Sequence, residues 1–277
     1  MNLFNLKTTI TKELDELEGR FSLAFCDLND PTKRLFINER EEHHAASTMK
    51  TPVMIEVFKQ ASEHRFNMND RTKVRNQFKS IFDGSLYSLD INRDDGEKLY
   101  DFIGQELSIA ELTYDMIIHS SNLATNNILD FVGVHNVMHT MRDMGVEDIK
   151  ILRGVEDLKA HEAGLNNTTT AYDLMLVFKM IGKGEIVTKT ACESMIEILL
   201  DQQSNNIIPA KLPEKVKVAH KTGEIDGVRH DSGLVLLPDG RKYVLVLLSS
   251  ELEDEDLAVQ SMAGVSRSIY DCMMSDS

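Results

Sequence analysis

Ser47 lies three residues ahead of Lys50, directly before the apolar, helix-like run Pro52-Val53-Met54-Ile55-Glu56-Val57-Phe58. At helical spacing the two side chains share a face. A serine hydroxyl is a weak nucleophile until a nearby base takes its proton, and an amine desolvated at a helix start can be neutral enough to do so. A second group, Ser120-Ser121-Asn122, follows the helical run Ile109 to Ile118. It offers a hydroxyl able to relay a proton to a leaving nitrogen and, two residues on, a carboxamide able to hold a substrate amide and a lysine together. A third, Lys221-Thr222-Gly223, closes the β-rich run Val216-Lys217-Val218-Ala219-His220. On a strand Lys221 and Gly223 face one way and Thr222 the other. Gly223 lets a substrate come close to the backbone, and the N–H of Glu224 after it is free to point into a cleft.

The elements that must position these groups follow from periodicity. Leu3, Leu6, Ile10, Leu14 and Leu17 recur at helical spacing, with Gly19 to close the helix. Phe21 to Phe25 alternates like a strand, Asn29-Asp30-Pro31 reads as a turn, and Arg34 to Asn38 as the returning strand. From Pro52 to about Leu200 the pattern is mostly helical. Strands return at Val216–Thr222, Ser232–Leu237 and Tyr243–Ser249, and a last helix runs from about Glu253 to Met273. Two strands plus three could form one antiparallel five-stranded sheet of an α/β (α+β) protein, flanked by the N- and C-terminal helices, although periodicity alone does not fix that topology. The expected division is an α/β lobe, 1–46 and 201–277, with an all-helical lobe, 47–200, inserted into it. A site between the lobes would occupy the usual place for a ligand pocket.

Composition narrows the function classes. With 277 residues the chain has ample length for a core, and 42% hydrophobic and 27% charged residues are ordinary for a globular protein. A net charge of −15 argues against a nucleic-acid partner or an anionic membrane surface. Cys26, Cys192 and Cys272 are too few and too widely spaced for a zinc site or a disulfide framework, so buried thiols are expected and no cofactor is. No stretch is long and apolar enough to span a bilayer, and no basic segment followed by an apolar core opens the chain. The sequence thus reads as that of a cytoplasmic protein, or of a secreted one whose leader has been removed. His135 and His139 stand at i, i+4 but lack the glutamate of a zinc-binding helix.

In this order, S-x-x-K, S-x-N and K-T-G resemble the signature of the penicillin-recognising serine enzymes, and the chain resembles the class A β-lactamases and related D,D-peptidases from its first helix to its last. The resemblance implies the inserted-lobe topology and a small-molecule substrate, a β-lactam or a peptide or ester analogue. It also implies the chemistry of antibiotic resistance. Ser47 becomes the nucleophile and Lys50 the base of acylation, alone or with a carboxylate acting through water. The backbone N–H groups of Ser47 and Glu224 become the oxyanion hole. Ser120 becomes the proton donor to the leaving nitrogen, and Asn122 the contact to the acyl side chain. Lys221, Thr222 and Gly223 bind the substrate, with Arg229 adding charge for its carboxylate.

Two departures from the family pattern stand out. Ser121 replaces the usual aspartate of the middle motif, a residue mainly structural in the family, so packing is expected to change more than chemistry. Glu162-Ala163-Gly164-Leu165-Asn166 reproduces the E-x-x-L-N that carries the deacylating base, but Asn167-Thr168-Thr169-Thr170 follows at once and shortens the loop. Glu162 is therefore the first candidate for that base, and Glu156, close after Arg153, is its rival. Without a working base the acyl-enzyme would persist, and the protein would be a peptidase, amidase or esterase with slow β-lactam turnover, or a penicillin-binding sensor.

Overall fold

The computed structural model describes residues 3–275. Helix α1 (Leu3–Asp15) leads into strands β1 (Arg20–Asp27) and β2 (Arg34–Ile37). Helices α2 (Lys50–Ser62), α3 (Ile109–Ile118), α4 (Asn122–Val132), α5 (Val134–Asp143), α6 (Leu158–Glu162), α7 (Ala171–Lys183) and α8 (Lys189–Leu200) fill the middle of the chain. Strands β3 (Lys217–Ile225), β4 (Val228–Leu236) and β5 (Lys242–Ser250) follow, then helix α9 (Glu255–Ser275). The five strands form one antiparallel sheet in the order β2-β1-β5-β4-β3.

Each face of the sheet builds its own core, as strand alternation requires. Leu23 and Phe25 of β1 and Tyr243, Leu245 and Leu247 of β5 pack against Leu6, Ile10 and Leu14 of α1 and Met262, Val265 and Ile269 of α9. Ala24 and Cys26 and Val244, Val246 and Leu248, one residue out of phase, face the opposite core with the helices α2–α5, α7 and α8. Helix α2 is buried from Lys50 to Val57, all round its circumference, as befits a helix at the centre of a core. Its one buried acid, Glu56, accepts hydrogen bonds from Gln60 Nε2 (2.7 Å) and Thr140 Oγ1. The three cysteines are buried, and among the described residues no helix is long and apolar enough to cross a membrane.

Two stretches depart from the sequence reading. Between α2 and α3 the chain is not helical. It runs through two short ribbons, Arg71–Lys73 with Glu106–Ser108 and Phe78–Lys79 with Leu86–Tyr87, and two 3-10 segments, Ile91–Arg93 and Glu97–Phe102. This stretch is rich in Asn, Asp, Ser and Gly, which compete with the helix for backbone hydrogen bonds or terminate it. Strand β4 starts at Val228, four residues before Ser232, because Asp226-Gly227 makes a two-residue turn that pairs Ile225 with Val228. Gly227, at φ 69°, supplies the left-handed conformation that such a turn needs. The polar His230 and Asp231 were no obstacle to a buried strand, since both side chains are hydrogen-bonded.

Candidate active site

A 3-10 turn, Ala46–Met49, carries Ser47 and passes without a break into α2, which starts at Lys50. Residues at i and i+3 eclipse in a 3-10 turn, so Ser47 and Lys50 share a face more closely than helical spacing alone would give. The turn is held from two sides. Ala46 sits at φ 44°, a left-handed conformation costing about 1–3 kcal/mol in a non-glycine residue. Its N–H donates to His44 Nδ1 at 3.0 Å, and the bridge His43–His44 with Thr168–Thr169 ties this segment to the loop running from Arg153 to Asn167. Burial pushes His44 down to about 4, so its ring is neutral and Nδ1 stays an acceptor at neutral pH. On the other side lies Gly223 of β3, where an added Cβ would sit 3.1 Å from the Ser47 nitrogen. Only a glycine lets strand and turn approach this closely without displacement.

Lys50 has no exposed surface. Its ammonium donates to Ser120 O (2.6 Å), Ser120 Oγ (3.1 Å) and Asn122 Oδ1 (3.0 Å). Desolvation pulls its pKa down to about 8, opposed by the carboxylates of Asp94, Asp95 and Glu156. Lys221, equally buried, donates to the same Ser120 Oγ at 3.1 Å and to Thr222 O at 3.0 Å. Burial, and then repulsion from Lys50, moves its pKa well below the ordinary lysine value. A hydroxyl accepting from two ammonium groups has its own proton left to point elsewhere. Ser120 reaches this position through another left-handed residue, φ 54°, which turns its carbonyl toward Lys50. The N-cap of α4 is the next residue, Ser121, whose Oγ accepts from Ala124 N at 3.1 Å.

Ser47, Ser120, Asn122, Glu224 and Arg229 line a cleft of about 650 Å³. It continues into a smaller hollow of about 370 Å³ lined by Thr222, Gly223 and Gln203, the two sharing Ser47, Asp95, Ser120 and Glu224. The two candidate glutamates part company. Glu156 lines the cleft, half-buried, and accepts from Asn122 Nδ2 at 2.9 Å. Burial raises its pKa and the Asn122 hydrogen bond lowers it, with a net rise. Its φ of 59° is the third left-handed conformation in the site. Glu162, the first candidate from sequence, ends α6, is exposed and does not line the cleft. The reason is helical geometry: Ala160 is the buried residue of α6, and a residue two positions further lies about 200° round the helix, facing solvent. Arg229 reaches the rim, but its guanidinium is already engaged. It donates to Ile225 O (2.9 Å) and Val228 O (2.8 Å) and pairs with Glu255 of α9.

Sequence reasoning missed several residues of this site. Asp95 lines the cleft and Asp94 lies behind it, in an Asp-Asp-Gly string whose residue types suggest only a turn. His44, Arg93, His161 and Asn167 also line the cleft without belonging to any motif.

The chain matches the beta-lactamase enzyme family over residues 5–273. It is 26% identical to a beta-lactamase of Bacteroides uniformis over 180 residues, spanning 60% of this chain and 60% of that protein's length. Among solved structures, PBP-A superposes with a TM-score of 0.84 at 25% identity, covering 99% of this chain and 97% of that one, and a variant of it has been solved as an acyl-enzyme complex with penicillin-G. The TLA-1 extended spectrum beta-lactamase gives the same TM-score, 0.84, at 21% identity over 99% of each chain. With a match running almost from end to end, and the three ordered motifs converging on one cleft, this chain belongs to the beta-lactamase enzyme family.

Proposed function

We propose that the protein is a class A-like serine β-lactamase, opening the cyclic amide of a β-lactam through an acyl-enzyme on Ser47. The observation that carries this reading is the pair of buried lysines meeting at Ser120 Oγ, with Ser47 one turn from Lys50. Lys50, neutral in a fraction that grows with pH, takes the proton of Ser47 Oγ. The oxygen then attacks the amide carbonyl, and the N–H groups of Ser47 and Glu224 hold the developing oxyanion. Ser120, its Oγ already accepting from both lysines, gives its proton to the leaving nitrogen and is reprotonated from Lys50. The C–N bond breaks and an ester to Ser47 remains. Glu156 then takes a proton from water, the hydroxide attacks the ester carbonyl, and the C–O bond to Ser47 breaks as that proton is passed back from Glu156 to the departing Ser47 Oγ. Asn122, bridging Lys50 and Glu156, links the bases of the two steps. Thr222 binds the substrate carboxylate at the Gly223 end of the cleft, while the buried Lys221 sets the electrostatics around Ser120.

The presence of Glu156 inside the cleft favours turnover over a lasting adduct. The test is intact mass during incubation with a fluorescent penicillin and chase. The expected result is an adduct of one penicillin that forms and then clears, and none in Ser47→Ala. Labelling that survives in Ser47→Ala refutes the nucleophile. An adduct that persists through the chase in the wild type makes the protein a penicillin-binding peptidase or sensor instead.

A further inference from the structure

The middle motif carries a serine where its family has an acid, yet the turn it forms is not short of a carboxylate. Asp94 enters from the loop before the Glu97–Phe102 segment and is almost completely buried at the N-terminus of α4. Its Oδ1 accepts from Asn122 N (2.9 Å) and Gly96 N (2.9 Å). Its Oδ2 accepts from Leu123 N (2.8 Å) and Tyr100 OH (3.2 Å). Four donors on one carboxylate fix it in position and orientation, and a negative charge at a helix N-terminus is favourable in itself. The loop comes this close only because two residues are small. A Cβ on Gly96 would lie 2.3 Å from Ser121 Cβ and 2.5 Å from Ser121 Oγ, so a larger side chain at either position drives the two segments apart.

We propose that Asp94 is the positioning residue of the Ser120–Asn122 turn: from a separate loop it takes over the anchoring that an acid at position 121 would have given from within the motif, and so sets Asn122 between Lys50 and Glu156. This inference rests on the reading of the site given above. The carboxylate fixes the backbone of Asn122, and the Asn122 side chain in turn accepts from Lys50 at 3.0 Å and donates to Glu156 at 2.9 Å. The charge of Asp94 also acts on Lys50 directly. Among the carboxylates that raise the Lys50 pKa against desolvation, Asp94 ranks ahead of Asp95 and Glu156, while Lys221 faces the same amine from β3 as a like charge.

The experiment follows penicillin acylation of the full chain from pH 5 to 10 in the wild type, Asp94→Asn and Asp94→Ala. In Asp94→Asn one carboxylate oxygen becomes a donor and faces N–H or O–H groups it can no longer accept from. Acylation should slow by about 10- to 100-fold, the scale expected when a catalytic group is misplaced by a fraction of an ångström or more. The rising limb should also move to lower pH, because Lys50 loses its strongest raising charge. A purely structural loss would lower the rate without moving the limb. Hydrogen exchange over Ser120–Leu123 supplies a readout that needs no acylation, and Asp94→Asn should lose protection there. Rates within about twofold of the wild type with an unmoved limb, or unchanged exchange, each overturn the proposal. If the wild type takes up no penicillin at all, the function proposed above fails, and exchange alone then judges Asp94.

Discussion

Replacement of Glu156 by glutamine separates the two half-reactions. The change keeps the size of the side chain and leaves an amide oxygen for Asn122 Nδ2, which now donates to Glu156 Oε1 at 2.9 Å. On the proposed mechanism, what is lost is the proton acceptor. General-base catalysis is worth about 10²–10⁴-fold, or about 3–5 kcal/mol of barrier, and the loss should fall on hydrolysis of the acyl-enzyme. Acylation should be spared at neutral pH, because removing the Glu156 charge lowers the Lys50 pKa and enlarges the neutral fraction of that base. The variant therefore accumulates acyl-enzyme, read as a mass increase that outlasts the wild type's by two or more orders of magnitude, on the order of the base's contribution. Deacylation in the wild type should also fail as pH falls through the pKa of Glu156, which burial has raised into a more accessible range. Glu162→Gln is the matched control. Its parent side chain is exposed at the end of α6, so turnover should stay within about twofold. Wild-type deacylation in Glu156→Gln, or an accumulating adduct in Glu162→Gln, refutes the assignment of the base.

Gly223→Ala should slow acylation about tenfold or more, because the new methyl lies 3.1 Å from both the Ser47 nitrogen and Thr48 Cγ2 and can be housed only by moving the turn that carries the nucleophile; an unchanged acylation rate by stopped-flow would show that the turn yields freely. Acid should destabilise the fold early. Burial lowers His43 to about 4 and His230 to about 3 from an ordinary 6.5, so the unfolded chain binds more protons as pH falls below about 6.5, and each ring removes about 1.4 kcal/mol of stability per pH unit. Urea midpoints between pH 7 and 5 measure the slope, which His43→Gln should reduce.

The parts of this site that were legible in the sequence are those fixed by local geometry. Ser47 and Lys50, Ser120 and Asn122, and Lys221 to Glu224 each lie within a few residues of one another, on elements whose periodicity announces them. Glu156 was legible only as a rival to Glu162, and Asp94 not at all, because their positions depend on how loops close. The letters of E-x-x-L-N around Glu162 match the family, but the shortened loop contains a single short helix whose inner face is taken by Ala160, with Asp157 capping its start. Asp94 sits in an Asp-Asp-Gly string that predicts a turn and nothing more. Its function comes from tertiary contact with α4, made possible by two small residues 25 positions apart in the chain, Gly96 and Ser121. The strand carrying His230 and Asp231 was read as starting late for a similar reason, since burial of those polar groups depends on partners elsewhere in the chain.

The two buried lysines make the site costly to the fold, and that cost has a direction in pH. An ammonium without exposed surface forgoes hydration that three hydrogen bonds only partly replace. Lys50 titrates at about 8 in the folded protein against 10.5 for an ordinary lysine, so between these values the unfolded chain binds more protons than the folded one. Stability must then rise with pH across that window, by up to about 1.4 kcal/mol per pH unit and about 3 kcal/mol in all from this residue. Lys221, shifted in the same direction, adds to the trend. This is the reverse of the usual alkaline weakening of proteins whose lysines are stabilised by ion pairs. Urea midpoints from pH 7.5 to 10 test it, with Lys50→Met as reference, because methionine fills the same space without a charge. The wild type should gain on the variant as pH rises. Parallel curves would mean that Lys50 is as comfortable charged in the fold as in water, and a lysine so well solvated would not be deprotonated enough to activate Ser47.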